Sequence, residues 1–205
     1  MFLPWHSGCT MGNVSTGYES KGYTVLRRLV APEIVDFLSL YLAMRSRVGA
    51  LTADGQVNGS SSVYGDPVFD ALLVQLLPEV STAASRQLLP TYSFVRVYKR
   101  GQDLAPHIDR PSCEHSLTLH LGSSDDSGWP IWLRGRRGDP ESISLEPTDG
   151  VLYRGCDLEH WRKPCPSEWY AQAFLHFVEA GGPHSSYLFD RRPYLGLPDS
   201  TKGSQ

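Results

Sequence analysis

The stretch SLTLHLG, residues 116–122, places leucines at alternate positions with polar side chains between them. Successive side chains of a β-strand point to opposite faces of the sheet, so this period of two predicts a strand with one apolar face. The other face carries Ser116, Thr118 and His120. No other predicted strand of the chain alternates more cleanly.

Similar short runs, rich in branched and aromatic residues, fill the chain from residue 90 onward. They are TYSFVRVYKRG (91–101), WPIWLRG (129–135), ESISLEP (141–147), GVLYRGC (150–156) and AQAFLHFVEA (171–180). Gly, Pro, Asp and Ser separate them at short intervals. Many short strands divided by turn residues predict an antiparallel double-sheet sandwich or barrel such as a jelly roll.

The first 90 residues have a different texture, with two amphipathic segments. The pattern predicts a strand over 22–30, a helix over 31–48, a Gly/Ser-rich loop over 53–65 and a second helix over 66–87. Pro32 and Pro67 suit helix starts, and Asp66 suits an N-cap. We expect both helices to pack on one outer face of the sandwich, which makes the fold mainly β with N-terminal helices.

The length of 205 residues suits one domain. We expect a loose N-terminal arm over 1–20, a single domain over 21–190 and a C-terminal tail over 191–205.

Composition excludes several classes of function. The net charge is −3 and no basic tract is present, so nucleic-acid binding is not expected. No apolar run is long enough to cross a membrane, and the opening residues do not resemble a secretion signal. The cysteines, Cys9, Cys113, Cys156 and Cys165, form no CxxC pair. We expect four free thiols and a cytoplasmic protein.

The segment LAPHIDR, residues 104–110, sets His107 and Asp109 two positions apart, where they share one face of an extended chain. Three interpretations are open. The pair is a salt-bridged surface turn, a general base with its orienting acid, or two of the three protein ligands of a metal.

A metal site needs a third ligand from elsewhere in the chain. His160, 51 residues after Asp109, is the best candidate, because it follows a predicted strand and precedes a turn in a hydrophilic stretch. The other histidines are expected elsewhere. His6 and His184 should be exposed to solvent, His115 should lie at the start of the strand over 116–122 and His120 within it, and His176 should lie in the core or on a sheet face. Two histidines and one carboxylate leave coordination positions open, as in the facial triad of non-haem Fe(II) enzymes. Zinc accepts the same donors.

Four segments together resemble the 2-oxoglutarate- and Fe(II)-dependent oxygenases, in particular the prolyl 4-hydroxylase-like branch. They are YKRGQDLAPHIDR (98–110), SLTLHLG, DGVLYRGCDLEHW (149–161) and AQAFLHFV (171–178). The resemblance spans roughly residues 22–180. It implies a double-stranded β-helix core of the jelly-roll or cupin type. It also implies iron held by His107, Asp109 and His160, and Tyr98 in contact with the cosubstrate.

The resemblance also implies a reaction. Fe(II), 2-oxoglutarate and O₂ would serve hydroxylation of an unactivated C–H bond, with release of succinate and CO₂ and with ascorbate as a candidate reductant. The intact Asp109 implies hydroxylation or a related oxidation, and not halogenation. The implied substrate is a peptidyl residue such as proline or a small amino-acid-like metabolite. The oligomeric state is left open.

The chain departs from the family pattern at position 170. The family usually has Lys or Arg about ten residues after the distal histidine, where it binds the far carboxylate of 2-oxoglutarate, and this chain has Tyr170. A buried carboxylate needs a charged or multiply hydrogen-bonded partner. Arg162 is the first candidate and Arg96 the second, assisted by Tyr98, His120 or Thr118.

The rival interpretation comes from another class of protein. A β-sandwich binding module with a structural or vestigial metal site would also retain the three ligands, and the missing basic residue at position 170 favours it.

Overall fold

The protein is described by a computed structural model that covers residues 17–126, 128–135 and 138–197. The helices are α1 Gly17–Lys21, α2 Pro32–Arg47, α3 Pro67–Gln75 and α4 Leu77–Ala84, with 3₁₀ segments at Pro111–Cys113 and Ser185–Arg191. The strands are β1 Tyr23–Leu26, β2 Thr52–Ala53, β3 Ser61–Tyr64, β4 Leu88–Lys99, β5 Leu104–His107, β6 His115–Ser123, β7 Ile131–Arg134, β8 Pro140–Ile143, β9 Gly150–Tyr153, β10 Glu159–Arg162 and β11 Trp169–Glu179.

The strands form two antiparallel sheets that face each other. The major sheet has the order β1-β9-β6-β11-β4-β3-β2, and the minor sheet has the order β5-β10-β7-β8. The predicted mainly β, jelly-roll architecture with N-terminal helices is confirmed. Within the described ranges, no helix combines the length and apolar character needed to cross a bilayer.

The alternation in β6 divides the interior into two layers. Leu117, Leu119 and Leu121 are buried in a cluster that also contains α2, α3 and α4 residues such as Leu38 and Leu73. The helices therefore cover the outer face of the major sheet, as predicted. The polar residues of β6 point to the other face, between the two sheets, where a second apolar cluster that includes Leu133 and Val151 also lies.

The prediction of a single helix over 66–87 is wrong, because this segment forms two helices, α3 and α4, that meet at Leu76. Pro78 lacks a backbone N–H and is tolerated only in the first turn of a helix, so a new helix starts just before it. The predicted cap is correct, because the Asp66 carboxylate accepts a hydrogen bond from the Val68 N–H at 2.9 Å.

Two strands lie where other structure was expected. β3 lies inside the predicted loop over 53–65 and pairs with β4, placing Ser62 opposite Arg96. His160 was expected after a strand and lies within β10, where it is paired with His107 of β5. Both strands have four residues. Strands this short carry too little local pattern to be recognised, and the sheet around them supplies their hydrogen bonds.

The expected loose ends are partly ordered. α1 begins at Gly17, and the Tyr18 side chain is fully buried. Near the other end, Arg192 is buried and pairs with Asp70 at 3.4 Å, so the tail expected from 191 is packed at its start. Residues 1–16 and 198–205 lie outside the described residues. Cys113, Cys156 and Cys165 are free thiols, and Cys9 lies outside the described residues.

Candidate active site

The three predicted metal ligands converge at one end of the minor sheet. β5 and β10 are antiparallel neighbours, which brings the rings of His107 and His160 to a centroid distance of 4.2 Å. Asp109 follows β5, and its N–H donates to the Gly155 carbonyl at 2.8 Å. One ligand atom from each of the three lies within 4.8 Å of the other two. Of the three interpretations of the His107–Asp109 pair, this geometry favours the metal site.

Both histidine rings are held in the orientation that a metal requires. Nδ1 of His107 hydrogen-bonds the Ala105 carbonyl at 2.9 Å, and Nδ1 of His160 hydrogen-bonds the Leu158 carbonyl at 2.9 Å. The Nε2 atoms then face Asp109 Oδ1 at 3.7 and 3.5 Å. Ligating histidines characteristically donate their second ring nitrogen in this way. Two ligands at right angles and about 2.1 Å from a metal lie about 3 Å apart, which is close to these separations.

The electrostatics hold two of the ligands in their metal-binding forms. Burial alone would raise the pKa of Asp109, but the hydrogen bond and charge of His160, together with His176 and the Ser116 hydroxyl, outweigh it and lower the pKa to about 2. Burial, and then the neighbouring His160, lower the pKa of His107. A carboxylate and a neutral imidazole are therefore present at neutral pH, as metal binding requires.

The second oxygen of Asp109 is held by a chain of polar contacts from the major sheet. Ser116 Oγ donates to Asp109 Oδ2 at 2.9 Å and hydrogen-bonds His176 Nδ1 at 3.0 Å. The His176 ring packs on Tyr92 at a centroid distance of 4.5 Å. His176 was expected in the core or on a sheet face, and it lies on the inner face of β11. Its role as a support for Asp109 was not foreseen.

Gly155 is a further residue that the sequence analysis missed. A Cβ at this position would collide with Asp109 Oδ2 and with the Cys113 carbonyl oxygen. The absence of a side chain is thus what allows the turn after β9 to approach the Asp109 carboxylate. The only signal in the sequence was a glycine near the end of the predicted strand 150–156, a frequent arrangement with many other causes.

A cavity of about 260 Å³ opens between the two sheets beside the triad. Aromatic residues of the major sheet, Tyr92, Phe94 and Phe174, form part of its wall, and Arg96 and Arg162 also line it. The triad therefore borders an interior cavity with room for a small molecule.

Arg162 is buried, its guanidinium lies over the Trp129 ring at 4.6 Å, and no carboxylate pairs with it among the described residues. It lies two residues after His160 in β10, and its exposed fraction is 2%. Nη1 donates to the Trp129 carbonyl oxygen, whereas Nε and Nη2 have no hydrogen-bond partner among the described residues. Burial lowers the pKa of this guanidinium. A buried unpaired charge is costly, so the two idle N–H groups suit a carboxylate ligand in the cavity.

Arg96 is the opposite case, because its charge is already neutralised. Its Nε donates to Asp54 Oδ2 at 2.7 Å and its Nη2 donates to Gln56 Oε1 at 2.8 Å. Its Nη1 donates to the Tyr98 hydroxyl at 2.8 Å. The geometry thus favours Arg162 over Arg96 as the partner of a ligand carboxylate, and it places Tyr98 in the network of Arg96.

The polar face of β6 lies beside Arg162 in the interior. The His120 ring stacks on Tyr170 at 4.3 Å, its Nδ1 hydrogen-bonds the Leu145 carbonyl at 3.0 Å, and its Nε2 has no partner among the described residues. Thr118 is fully buried on the same face. Opposite His120 lies Gln172, fully buried with neither side-chain atom hydrogen-bonded within the described ranges. Gln172 is a second residue that the sequence analysis missed.

Comparison with known proteins adds to this geometry. No protein-family model matches the chain, and no curated protein matches its sequence. Solved structures do match. A prolyl 4-hydroxylase from Pseudomonas putida has a TM-score of 0.66 at 14% identity, covering 80% of this chain and 96% of that one.

Two further structures were solved with bound molecules. The epimerase SnoN, in complex with Fe³⁺, α-ketoglutarate and nogalamycin RO, has a TM-score of 0.64 at 14% identity, covering 88% of this chain and 89% of that one. A prolyl hydroxylase from Trichoplax adhaerens, in complex with a peptide of hypoxia inducible factor, has a TM-score of 0.62 at 14% identity, covering 78% and 86%. The chain therefore has the double-stranded β-helix fold of the 2-oxoglutarate- and Fe(II)-dependent oxygenases, prolyl 4-hydroxylases among them.

Proposed function

We propose that this protein is an Fe(II)- and 2-oxoglutarate-dependent oxygenase that hydroxylates an unactivated C–H bond. The observation that carries the proposal is the pairing of the His107–Asp109–His160 cluster with a buried, unpaired Arg162 in one cavity. A metal site alone would fit many functions. A metal site beside a guanidinium that lacks its anion fits a cosubstrate that has a carboxylate at each end.

The donor set fits Fe(II). His107, Asp109 and His160 would hold the ion and leave coordination positions open toward the cavity. Zinc would accept the same ligands, but a zinc site does not account for the unpaired Arg162. When bound, Fe(II) with 2-oxoglutarate and O₂ supplies oxidative decarboxylation to succinate and CO₂ coupled to oxidation of a C–H bond.

The protein's own contribution is to bind, orient and exclude water. Arg162 would bind the far carboxylate through its idle Nε and Nη2 atoms, since a planar guanidinium can donate two parallel hydrogen bonds. Among the described residues, His120 Nε2 and the Gln172 side chain, on the paired strands β6 and β11, also lack hydrogen-bond partners. Tyr98 and Asp54 act by holding Arg96 in place. Ser116 fixes the second oxygen of Asp109, so the carboxylate presents one oxygen to the metal.

The charges around the cavity bear on the substrate class. A free amino acid carries a carboxylate that needs a cation, but Arg96 is neutralised by Asp54 and Arg162 would be occupied by 2-oxoglutarate. Tyr92, Phe94 and Phe174 offer apolar surface for a saturated ring or an aliphatic chain. This arrangement favours a peptidyl residue such as proline, whose backbone is uncharged, over a small amino-acid-like metabolite.

The test is 2-oxoglutarate turnover measured as succinate formation, with Fe(II), O₂ and ascorbate, in the presence of proline-containing peptides or free amino acids. We expect peptide-stimulated turnover that is lost in His107→Ala and Asp109→Ala, with the fold retained in both. Full turnover in either variant would disprove the triad. Absence of 2-oxoglutarate binding in the wild type would favour the rival binding module.

A further inference from the structure

A second cluster of metal-ligand side chains lies where two central strands of the major sheet, β6 and β11, begin and end. His115 opens β6, Glu179 ends β11, and Glu114 directly precedes His115. One nitrogen of His115 and one carboxylate oxygen from each glutamate lie within 4.8 Å of one another. The cluster shares no residue with the triad of His107, Asp109 and His160.

His115 is the residue that requires an explanation. Its exposed fraction is 3%, and its Nδ1 shares a hydrogen bond of 2.5 Å with the Tyr18 hydroxyl. Its Nε2 is buried without a hydrogen-bond partner among the described residues. Burial lowers the pKa of His115 to about 4, so the ring is neutral at pH 7. In the tautomer whose Nδ1–H donates to the Tyr18 oxygen, this neutral imidazole presents the lone pair of Nε2, which is the form of a histidine that binds a metal.

The carboxylates of Glu114 and Glu179, together with His115, line a small cavity of about 70 Å³. Glu114 Oε2 accepts the Glu179 backbone N–H at 2.9 Å, which fixes the first carboxylate beside the second. Arg86 contacts Glu179 at 3.6 Å but also pairs with Glu19 at 3.0 Å. If a bound cation displaced Arg86 from Glu179, Arg86 would still be paired with Glu19.

The charge of the cavity selects a cation over an anion. Its described lining contains three carboxylates, of which Asp157 lies 3.8 Å from Arg154 and Glu179 lies 3.6 Å from Arg86. Glu114 has no cationic partner among the described residues, so a bound water could satisfy His115 Nε2 but would leave the Glu114 charge unpaired. Mg²⁺ and Ca²⁺ prefer all-oxygen sites, whereas an imidazole with two carboxylates suits zinc and similar transition ions.

We propose that His115, Glu114 and Glu179 form a second divalent-cation site, selective for Zn²⁺ over Mg²⁺ and Ca²⁺, separate from the active-site triad. Ligands of a tetrahedral zinc lie about 3.4 Å apart, given bonds of about 2.1 Å. The two glutamates are partly exposed, so their side chains can close the remaining distance. The ion would cross-link the start of β6 to the end of β11 and stabilise the strands that carry Ser116 and His176.

The experiment uses the full chain with the active-site triad disabled by His107→Ala and Asp109→Ala, so that one strong site remains. Zn²⁺ is titrated by calorimetry, and the unfolding temperature is measured with and without the ion. We expect about one equivalent of Zn²⁺ and a rise in the unfolding temperature. Adding Glu114→Gln or Glu179→Gln should weaken binding at least about tenfold, the loss seen even when an outer-shell partner is removed.

Glu168→Gln is the matched control. It removes an exposed carboxylate that pairs with Arg100 at 3.5 Å and lies outside the cluster, so Zn²⁺ binding should be unchanged. The proposal is overturned if the triad-disabled protein binds no Zn²⁺. It is equally overturned if both glutamine variants bind Zn²⁺ as tightly as their parent, since the ion would then lie elsewhere.

Discussion

Replacing Arg162 by methionine should separate cosubstrate binding from stability. Methionine has a similar length and can fill the space beside Trp129, but it carries no charge. Removing one member of a buried, hydrogen-bonded charge pair costs about 2–5 kcal/mol. At about 1.4 kcal/mol per tenfold, the apparent affinity for 2-oxoglutarate should fall roughly 30-fold to 3,000-fold. Fe(II) binding should be preserved, because the triad is untouched.

In the ligand-free protein, Arg162→Met should not lower the free energy of unfolding, although it weakens 2-oxoglutarate binding. Arg162 loses its hydration without gaining a counter-ion, a penalty of several kcal/mol per ion, and methionine removes that penalty. The hydrogen bond from this charged group to the Trp129 carbonyl is lost at a cost of about 1.5–3 kcal/mol. We therefore expect the free energy of unfolding of Arg162→Met, measured by urea denaturation without 2-oxoglutarate, to equal or exceed that of the wild type.

Arg96→Met is the control, because it strips a buried carboxylate of its partner. Asp54 would remain buried and unpaired, and the free energy of unfolding should fall by about 3–5 kcal/mol. The reasoning is refuted if Arg162→Met changes the affinity for 2-oxoglutarate less than about threefold. It is also refuted if Arg162→Met destabilises the ligand-free protein as much as Arg96→Met does.

Three further predictions concern the metal site, pH and thiols. Gly155→Ala should abolish Fe(II) binding in a titration, because the added Cβ collides with Asp109 Oδ2. Gly135→Ala is the control and should bind Fe(II) normally, because its added Cβ would lie 3.6 Å from the nearest atom, the Lys21 carbonyl oxygen. Burial lowers the pKa of His176 to about 4, so the unfolded state binds the extra proton between about 6.5 and 4. The free energy of unfolding of the metal-free protein should therefore fall as the pH drops through that window. His176→Gln should reduce the slope of the unfolding free energy against pH by about 1.4 kcal/mol per pH unit, and an unchanged slope would count against a neutral buried His176. Finally, all four cysteines should react as free thiols under denaturing, non-reducing conditions, and a stable disulfide would contradict the expected cytoplasmic location.

Local sequence patterns predicted the parts of the site that depend on local geometry. The spacing of His107 and Asp109 placed both on one face, and the two-residue step from His160 to Arg162 placed the guanidinium on the same side of one strand. The alternation in 116–122 correctly divided β6 into an apolar face and a polar face. These features follow from the period of a strand and need no knowledge of distant partners.

Features that depend on long-range pairing could not be predicted from local patterns. The neutralisation of Arg96 by Asp54 joins residues 42 positions apart through a loop that looked like a connector. The pairing of β5 with β10 depends on register between short strands, which the hydrophobic pattern of four residues does not specify. The break between α3 and α4 is different, since Pro78 was visible in the sequence and its effect was overlooked.

The central claim is that the triad binds Fe(II) together with 2-oxoglutarate, and anaerobic absorption spectroscopy tests it most directly. Fe(II) is added to the purified protein without O₂, 2-oxoglutarate is titrated in, and the visible spectrum is recorded for the wild type, Asp109→Ala and Arg162→Met. We predict a weak charge-transfer band that saturates in the wild type, is absent in Asp109→Ala, and requires much more 2-oxoglutarate in Arg162→Met. A wild type that binds Fe(II) but never develops the band would contradict the account.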